Sequence, residues 1–141
     1  MGKRPLIQVL FEIPSDRLSK IVYFMIDSGS LFSALSEKEA TLMGLDCSAL
    51  PFSKGEAIGF GGHFKTKMIN KLVVLTFRDN GNESKIRYSS GFKVVCIPSD
   101  LPEEEREEML RQTPSVLGMD ILTKFSVYMD KRKVELTCKG K

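Results

Sequence analysis

The stretch Phe24-Met25-Ile26-Asp27-Ser28-Gly29-Ser30-Leu31-Phe32-Ser33 constrains this chain more than any other. An apolar run ends on one carboxylate, passes through Ser and Gly, and then turns apolar again. Apolar runs bounded by turn residues read as buried strands, and Asp with Gly at the end of one reads as a tight turn. Desolvating a carboxylate is costly unless it is paired or hydrogen-bonded. Asp27 is therefore either a backbone cap or a working acid. Three residues do not decide between them, because Asp-Ser-Gly also occurs in ordinary turns.

The flanking sequence reads mainly as strand. Leu6 to Ile13 alternates, with Ile7, Val9, Phe11 and Ile13 on one side, the period of a half-buried strand. Pro14 to Arg17 is a turn. Lys20 to Asp27 is a second strand, apolar on both faces and hence central, and the two pair as a hairpin. Leu31 to Leu35 continues extended. Ser36-Glu37-Lys38-Glu39 has the spacing of a capping box, and the short helix it opens ends at Gly44, with Ala40 and Met43 facing the core. Lys67 to Phe77 is a long strand, Asp79-Asn80-Gly81-Asn82 a hairpin turn, and Ile86 to Ile97 the returning strand.

Composition then shifts. Ser99 to Leu110 carries five Glu and reads as a solvated helix with Pro and acids in its first turn, held loosely by Leu101, Met109 and Leu110. Thr113-Pro114 ends it. Ser115-Val116-Leu117 is a short strand, followed by Gly118 and one amphipathic turn of helix. Ser126 to Met129 and Val134 to Cys138 are the last strands, the final one closing the sheet before a frayed tail. The 141 residues, 42% of them apolar and 28% charged, suit one globular domain over 1–141.

Several classes are disfavoured. A net charge of +3 and a pI near 8.8, without an aromatic-basic module, give no case for nucleic acid. No run approaches ~20 apolar residues, so no membrane span is expected. The apolar stretch after Pro5 is short and interrupted by Gln8 and Glu12, unlike a signal peptide. Met1-Gly2 begins a myristoylation-like pattern, but Leu6 stands where Ser or Thr belongs. Cys47, Cys96 and Cys138 are far apart, with a single His, which argues against a zinc site or a disulfide framework. No metal or cofactor is expected, and free thiols point to a reducing, cytoplasmic location. Gly59-Phe60-Gly61 begins a dinucleotide fingerprint but has Phe64 in place of the third glycine and no helix pattern behind it. Glu56 to Lys65 is instead a glycine-rich hairpin tip: a plain turn, or a flexible lid over a site. His63 on such a tip is expected to be exposed.

Asp27-Ser28-Gly29 at the end of a buried strand, and Val116-Leu117-Gly118 with Met119-Asp120-Ile121-Leu122 late in the chain, lie in an order that resembles the retropepsin-type aspartic proteases, the single-lobe homodimeric relatives of the pepsins. The resemblance runs from about Leu6 to Thr137. Ile58-Gly59-Phe60-Gly61-Gly62 is similar to the flap tip of the viral members, and the helix ending in Leu42-Met43-Gly44-Leu45 to one in cellular prokaryotic members. Ser30 stands where retroviral forms often have Ala. The viral Gly-Arg pair is replaced by Gly118-Met119, and Leu31 occupies the place of its acidic partner, so the viral way of bracing the dimer does not carry over. Residues 79–113 form a longer segment than in viral enzymes.

The resemblance implies a mainly β fold with two or three short helices, a single-lobe acid-protease β-barrel closed as a homodimer. It implies an endopeptidase in which Asp27 and its symmetry mate activate a water between them, acting on a peptide or an unfolded protein. Ser28 would reach the facing loop of the other subunit, and Gly29 would leave room for substrate backbone. Ser30 would donate to Asp27, giving a more acid pH optimum than Ala at that position. Ser30, Leu31, Ile58, Gly59, Phe60 and Gly61 would contact substrate, and the terminal strands would contribute to the interface. The alternative is a dimer of the same fold that binds or scaffolds with little or no hydrolysis.

Overall fold

The computed structural model describes residues 5–57, 64–79, 81–129 and 134–138, with backbone alone at 54–57, 64, 79, 126–129 and 134–138. Leu6–Ile13 (β1) and Leu18–Ile26 (β2) pair antiparallel from Leu6↔Met25 to Ile13↔Leu18. Val9, Phe11 and Ile13 of β1 and Val22 and Phe24 of β2 are fully buried, as the period of two requires. The connection is a 3-10 turn over Pro14–Asp16, closed by Arg17 at φ 55°. β2 is central, between β1 and a strand near the end of the chain. Its second face is covered only at the C-terminal end, a correction to the expectation of two buried faces. Ile21 and Tyr23 are 49% and 60% exposed, while Met25 is buried.

Ala34–Ser36 (β3) leads into Glu37–Met43 (α1). The extended run expected from Leu31 is thus confined to three residues, because 27–33 forms a loop. Ser36 Oγ accepts from Glu39 N at 3.2 Å, which is half of the expected capping box. The other half is missing: Glu39 pairs with Lys20 at 2.7 Å, and Ser36 N donates to Ser115 Oγ at 2.9 Å. Ala40 and Met43 are buried, and Gly44 closes the helix at φ 97°. Ser36→Ala is expected to lower stability by about 1 kcal/mol, the usual worth of an N-cap, measured by denaturant unfolding.

Phe52–Ala57 (β4) and Phe64–Ile69 (β5) pair antiparallel up to Ala57↔Phe64. The expected tip residues Ile58, Gly59, Phe60 and Gly61, with Gly62 and His63, lie outside the described residues. Two long strands expected from sequence are each divided. Lys67–Phe77 is broken at Asn70–Leu72 into β5 and Val73–Asp79 (β6). Ile86–Ile97 is broken at Ser89–Gly91 into Asn82–Tyr88 (β7) and Phe92–Cys96 (β8). The breaks let β6 and β7 pair with each other beside β1 while β5 and β8 pair elsewhere. Gly91 turns at φ 89° and donates to Ile69 O at 2.9 Å.

Glu103–Gln112 (α2), Ser115–Leu117 (β9) and Met119–Leu122 (α3) follow, then Phe125–Met129 (β10) and Val134–Cys138 (β11). Strand order in the main sheet is β4-β5-β8-β3-β9-β2-β1-β6-β7. β11 pairs with β10 in a separate two-stranded sheet rather than closing the main one. Among the described residues the fold is therefore mainly β with three short α-helices, as expected. The core gathers Phe11, Phe24, Leu35, Leu75, Phe92, Leu117 and Ile121, with the Phe11 ring edge-on to Phe92 at 5.2 Å. A smaller cluster of Ala34, Val95 and Ile97 is covered by Leu101, Met109 and Leu110 from α2 and its approach, the loose anchorage that the sequence predicts.

Candidate active site

β9 is the strand on which the Asp27 loop is built. It runs parallel to β2, with Ile26 opposite Leu117, and meets β3 from the other side at Ala34↔Val116. The strand entering the loop and the strand leaving it thus flank β9, and residues 27–33 cross over its end. Asp27 N donates to Leu117 O at 3.0 Å, and Ser30 N to Asp27 O at 3.1 Å. These bonds close the tight turn and fix where the side chain emerges.

Gly118 is required by this crossing. A Cβ there would stand 2.6 Å from Phe32 O and 2.7 Å from Ser30 O. Both are backbone atoms, which no side-chain rotation can move. From beneath, Met119 N donates to Ser30 O at 2.8 Å, Asp120 N to Leu31 O at 3.3 Å, and Gly118 N to Ser33 Oγ at 2.9 Å. The loop is pinned at three of its residues, Ser30, Leu31 and Ser33.

Asp27 is partly buried, and Ser28 and Gly29 are exposed. Asp27 Oδ1 accepts from Gly29 N at 2.9 Å. The capping role is therefore present, and it leaves the carboxylate at the surface of the loop. A Cβ on Gly29 would lie 3.2 Å from Asp27 Oδ1, so any side chain there would crowd the acid. Ser30 differs from expectation. Its hydroxyl donates to Phe32 O at 2.8 Å, so its one proton is used within the loop and does not reach Asp27. A shift in pH optimum through such a bond is accordingly not expected of Ser30→Ala. Leu31 and Phe32 are 71% and 56% exposed and form an apolar lip beside the acid. The Lys93 ammonium sits 4.8 Å from the centre of the Phe32 ring.

A polar cluster under the loop had no counterpart in the sequence reading. Asp120 Oδ1 accepts from Ser33 Oγ at 2.7 Å and from Ile121 N at 2.9 Å, and Oδ2 accepts from Tyr88 OH at 2.5 Å. Burial, then the hydrogen bond to Asp120, push the Tyr88 phenol well above its ordinary range. It remains a donor at any working pH. Ser33 is itself buried. The only sequence signals were a hydroxyl inside an apolar run and an acid two places after Gly118.

A cavity of about 930 Å³ lies elsewhere, between α1, the 3-10 turn Cys47–Ala49, β5 and the approach to α2; none of residues 27–33 lines it. Cys47 and Cys96 border it as free thiols, both pushed up chiefly by burial, Cys96 to about 11. Among the described residues no group of three or more His, Cys, Asp or Glu is placed to hold a metal ion, and no helix is long and apolar enough to cross a membrane.

No family model matches the sequence, and no curated protein matches it. Among solved structures, the chain is similar to EIAV protease complexed with the inhibitor HBY-793, at 22% identity over 87% of this chain and 88% of that one, with a TM-score of 0.46. It is similar to a retropepsin-like aspartic protease from Rickettsia conorii at 20% identity, covering 93% and 78%, with a TM-score of 0.48. It is also similar to the retroviral protease-like domain of Ddi1 from Leishmania major at 16% identity, covering 91% and 83%, with a TM-score of 0.46.

Proposed function

We propose that this chain is one subunit of a homodimeric aspartic endopeptidase whose two Asp27 carboxylates meet across a twofold axis. The observation that carries this is the Asp27 loop itself. One acid is presented at the surface, its backbone is pinned over β9, and the exposed Leu31 and Phe32 lie beside it. That is half of a site. Hydrolysis of a peptide bond needs a base to take a proton from water and an acid to protonate the carbonyl oxygen. A single carboxylate cannot be both at once.

Two carboxylates ~3 Å apart at an effective dielectric near 20 repel by about 5 kcal/mol. The pair therefore holds one proton between them, which makes one member the acid and the other the base. Ser28, exposed at the turn, reaches the facing loop, and Gly29 keeps the approach to the acid open. The segment between β4 and β5, with Ile58, Gly59, Phe60 and Gly61, supplies the substrate contacts of a flap, and the extended peptide is held as an added strand. Leu31 and Phe32 favour apolar side chains beside the cut. With free Cys47 and Cys96, the enzyme works in a reducing compartment, the cytoplasm.

Denatured casein or a peptide pool, incubated at acid and neutral pH beside Asp27→Asn, tests this. Proteolysis in the wild type that vanishes in the variant supports the enzyme. No cleavage at any pH would leave a binding or scaffolding dimer instead, and equal cleavage by both proteins would mark a contaminant. Specific activity should also fall on dilution as dimers separate.

A further inference from the structure

The loop carrying Asp27 rests on the Gly118–Asp120 backbone and on Ser33, and Ser33 in turn is held by Asp120. We propose that Asp120 is the positioning residue of that loop, holding it from within the same subunit through Ser33, with Tyr88 fixing the far oxygen of the carboxylate. This rests on the protease function proposed above.

The direction of each hydrogen bond supports it. Asp120 Oδ1 also takes the Ile121 amide, so the Ser33 hydroxyl must donate to it. The Ser33 oxygen is then left to accept, and what it accepts is the Gly118 amide at 2.9 Å. Gly118 is the residue over which the loop crosses. Its neighbours Met119 and Asp120 give their amides to Ser30 O and Leu31 O, three and four residues from Asp27. One carboxylate therefore joins β7, through Tyr88, to the start of α3 and to the exit of the loop. The contacts span 32 and 87 residues of sequence. Tyr88 is itself seated edge-on against Phe92 at 5.1 Å, so the far end of the chain of bonds is anchored in the core. The hydrogen bonds of Asp120 run to Ser33, Ile121 and Tyr88. It acts only by where it holds the loop.

The test compares Asp120→Ala with Asp120→Asn, per active dimer. Asn keeps an oxygen for Ser33 and Ile121, and its amide nitrogen meets the Tyr88 hydroxyl, whose oxygen can accept. Ala loses every acceptor. Asp120→Ala is expected to lower kcat by about 10- to 100-fold, the scale of an ångström-sized misplacement, with KM little changed. Asp120→Asn is expected to recover most of that loss. Hydrogen exchange supplies a readout independent of catalysis: amides in 27–33 and at Gly118 and Met119 should exchange faster in the Ala variant and near the wild-type rate in the Asn variant. Should Asp120→Ala not fold, Tyr88→Phe, which removes a single donor, carries the same comparison at smaller amplitude.

Unchanged kcat with unchanged exchange in Asp120→Ala overturns the role, as does an Asn variant as damaged as the Ala one. If the wild type shows no Asp27-dependent proteolysis, the protease function fails, and exchange alone then decides whether Asp120 holds the loop.

Discussion

At a fixed total protein concentration, replacing half of the wild-type chains with Asp27→Asn is expected to cut proteolysis to about one quarter once subunits have exchanged, rather than to the half expected if each chain worked alone. Random pairing puts one quarter of the dimers in the all-wild-type form and half in the mixed form. A mixed dimer has one carboxylate and one amide. The amide neither takes a proton from water nor gives one usefully to a carbonyl, so the mixed form lacks one of its two catalysts, and general acid–base roles are typically worth about 10²–10⁴-fold each. Asn is the right substitution because Gly29 N donates to Asp27 Oδ1 at 2.9 Å, and an amide oxygen accepts that bond equally well. The loop should thus keep its shape. The wild-type pair shares one proton and so carries a single charge, as does a carboxylate beside an amide, so mixed dimers should form as readily. A mass measurement confirms that they do, and activity then reads chemistry alone. A fall to one half would place a complete site in each chain and end the proposal of a shared pair.

The strands that the sequence announced were those whose pattern is local. The alternation of Leu6–Ile13 and the β6–β7 hairpin, paired up to Asp79↔Asn82, match the expectation, because side-chain period and turn chemistry are properties of a few adjacent residues. The divided strands failed for a related reason. Asn70-Lys71-Leu72 holds neither Gly nor Pro, so nothing in it announces a break. What sets that break is that β5 needs β8 as partner while β6 needs β1 and β7. Ser89-Ser90-Gly91 did carry a turn signal, and the surrounding apolar run masked it. The candidate site divides in the same way. Asp27, Gly29 and Gly118 were legible because a carboxylate ending an apolar strand, and glycines where backbone must pass closely, are visible in short stretches. Ser33, Tyr88 and Asp120 were not, since a hydrogen bond between residues 87 apart leaves no periodicity to read. The Ser30 hydroxyl was misassigned because several acceptors are near it in sequence, and only the folded loop decides that Phe32 O takes it.

Gly118→Ala is expected to be the most damaging single methyl that can be added to this chain's site. Its backbone sits at φ −101°, ψ −170°, an extended conformation open to any residue, so no handedness penalty applies. On backbone freedom alone Ala should stabilise, by about 0.4–1 kcal/mol through the unfolded state. Contact reverses the sign. The added carbon would lie 2.6 Å from Phe32 O, 2.7 Å from Phe32 C and 2.7 Å from Ser30 O. All three are main-chain atoms, so the loop must lift as a body. Overpacking of this kind costs about 1–3 kcal/mol, occasionally more, which outweighs the entropic gain. Lifting the loop also stretches the bonds from Gly118 N to Ser33 Oγ and from Met119 N to Ser30 O, so a net loss of about 2 kcal/mol or more is expected in denaturant unfolding. Activity should suffer further, by about 10²-fold in kcat, because Asp27 is carried on the part that moves. Gly29→Ala separates the two effects. There the near atom is Asp27 Oδ1 at 3.2 Å, the end of a side chain that can rotate aside. Stability should then hold while catalysis falls, because what moves is the acid itself. Wild-type stability and turnover in Gly118→Ala would mean that the loop yields freely over β9, and the crossing would not be what fixes Asp27.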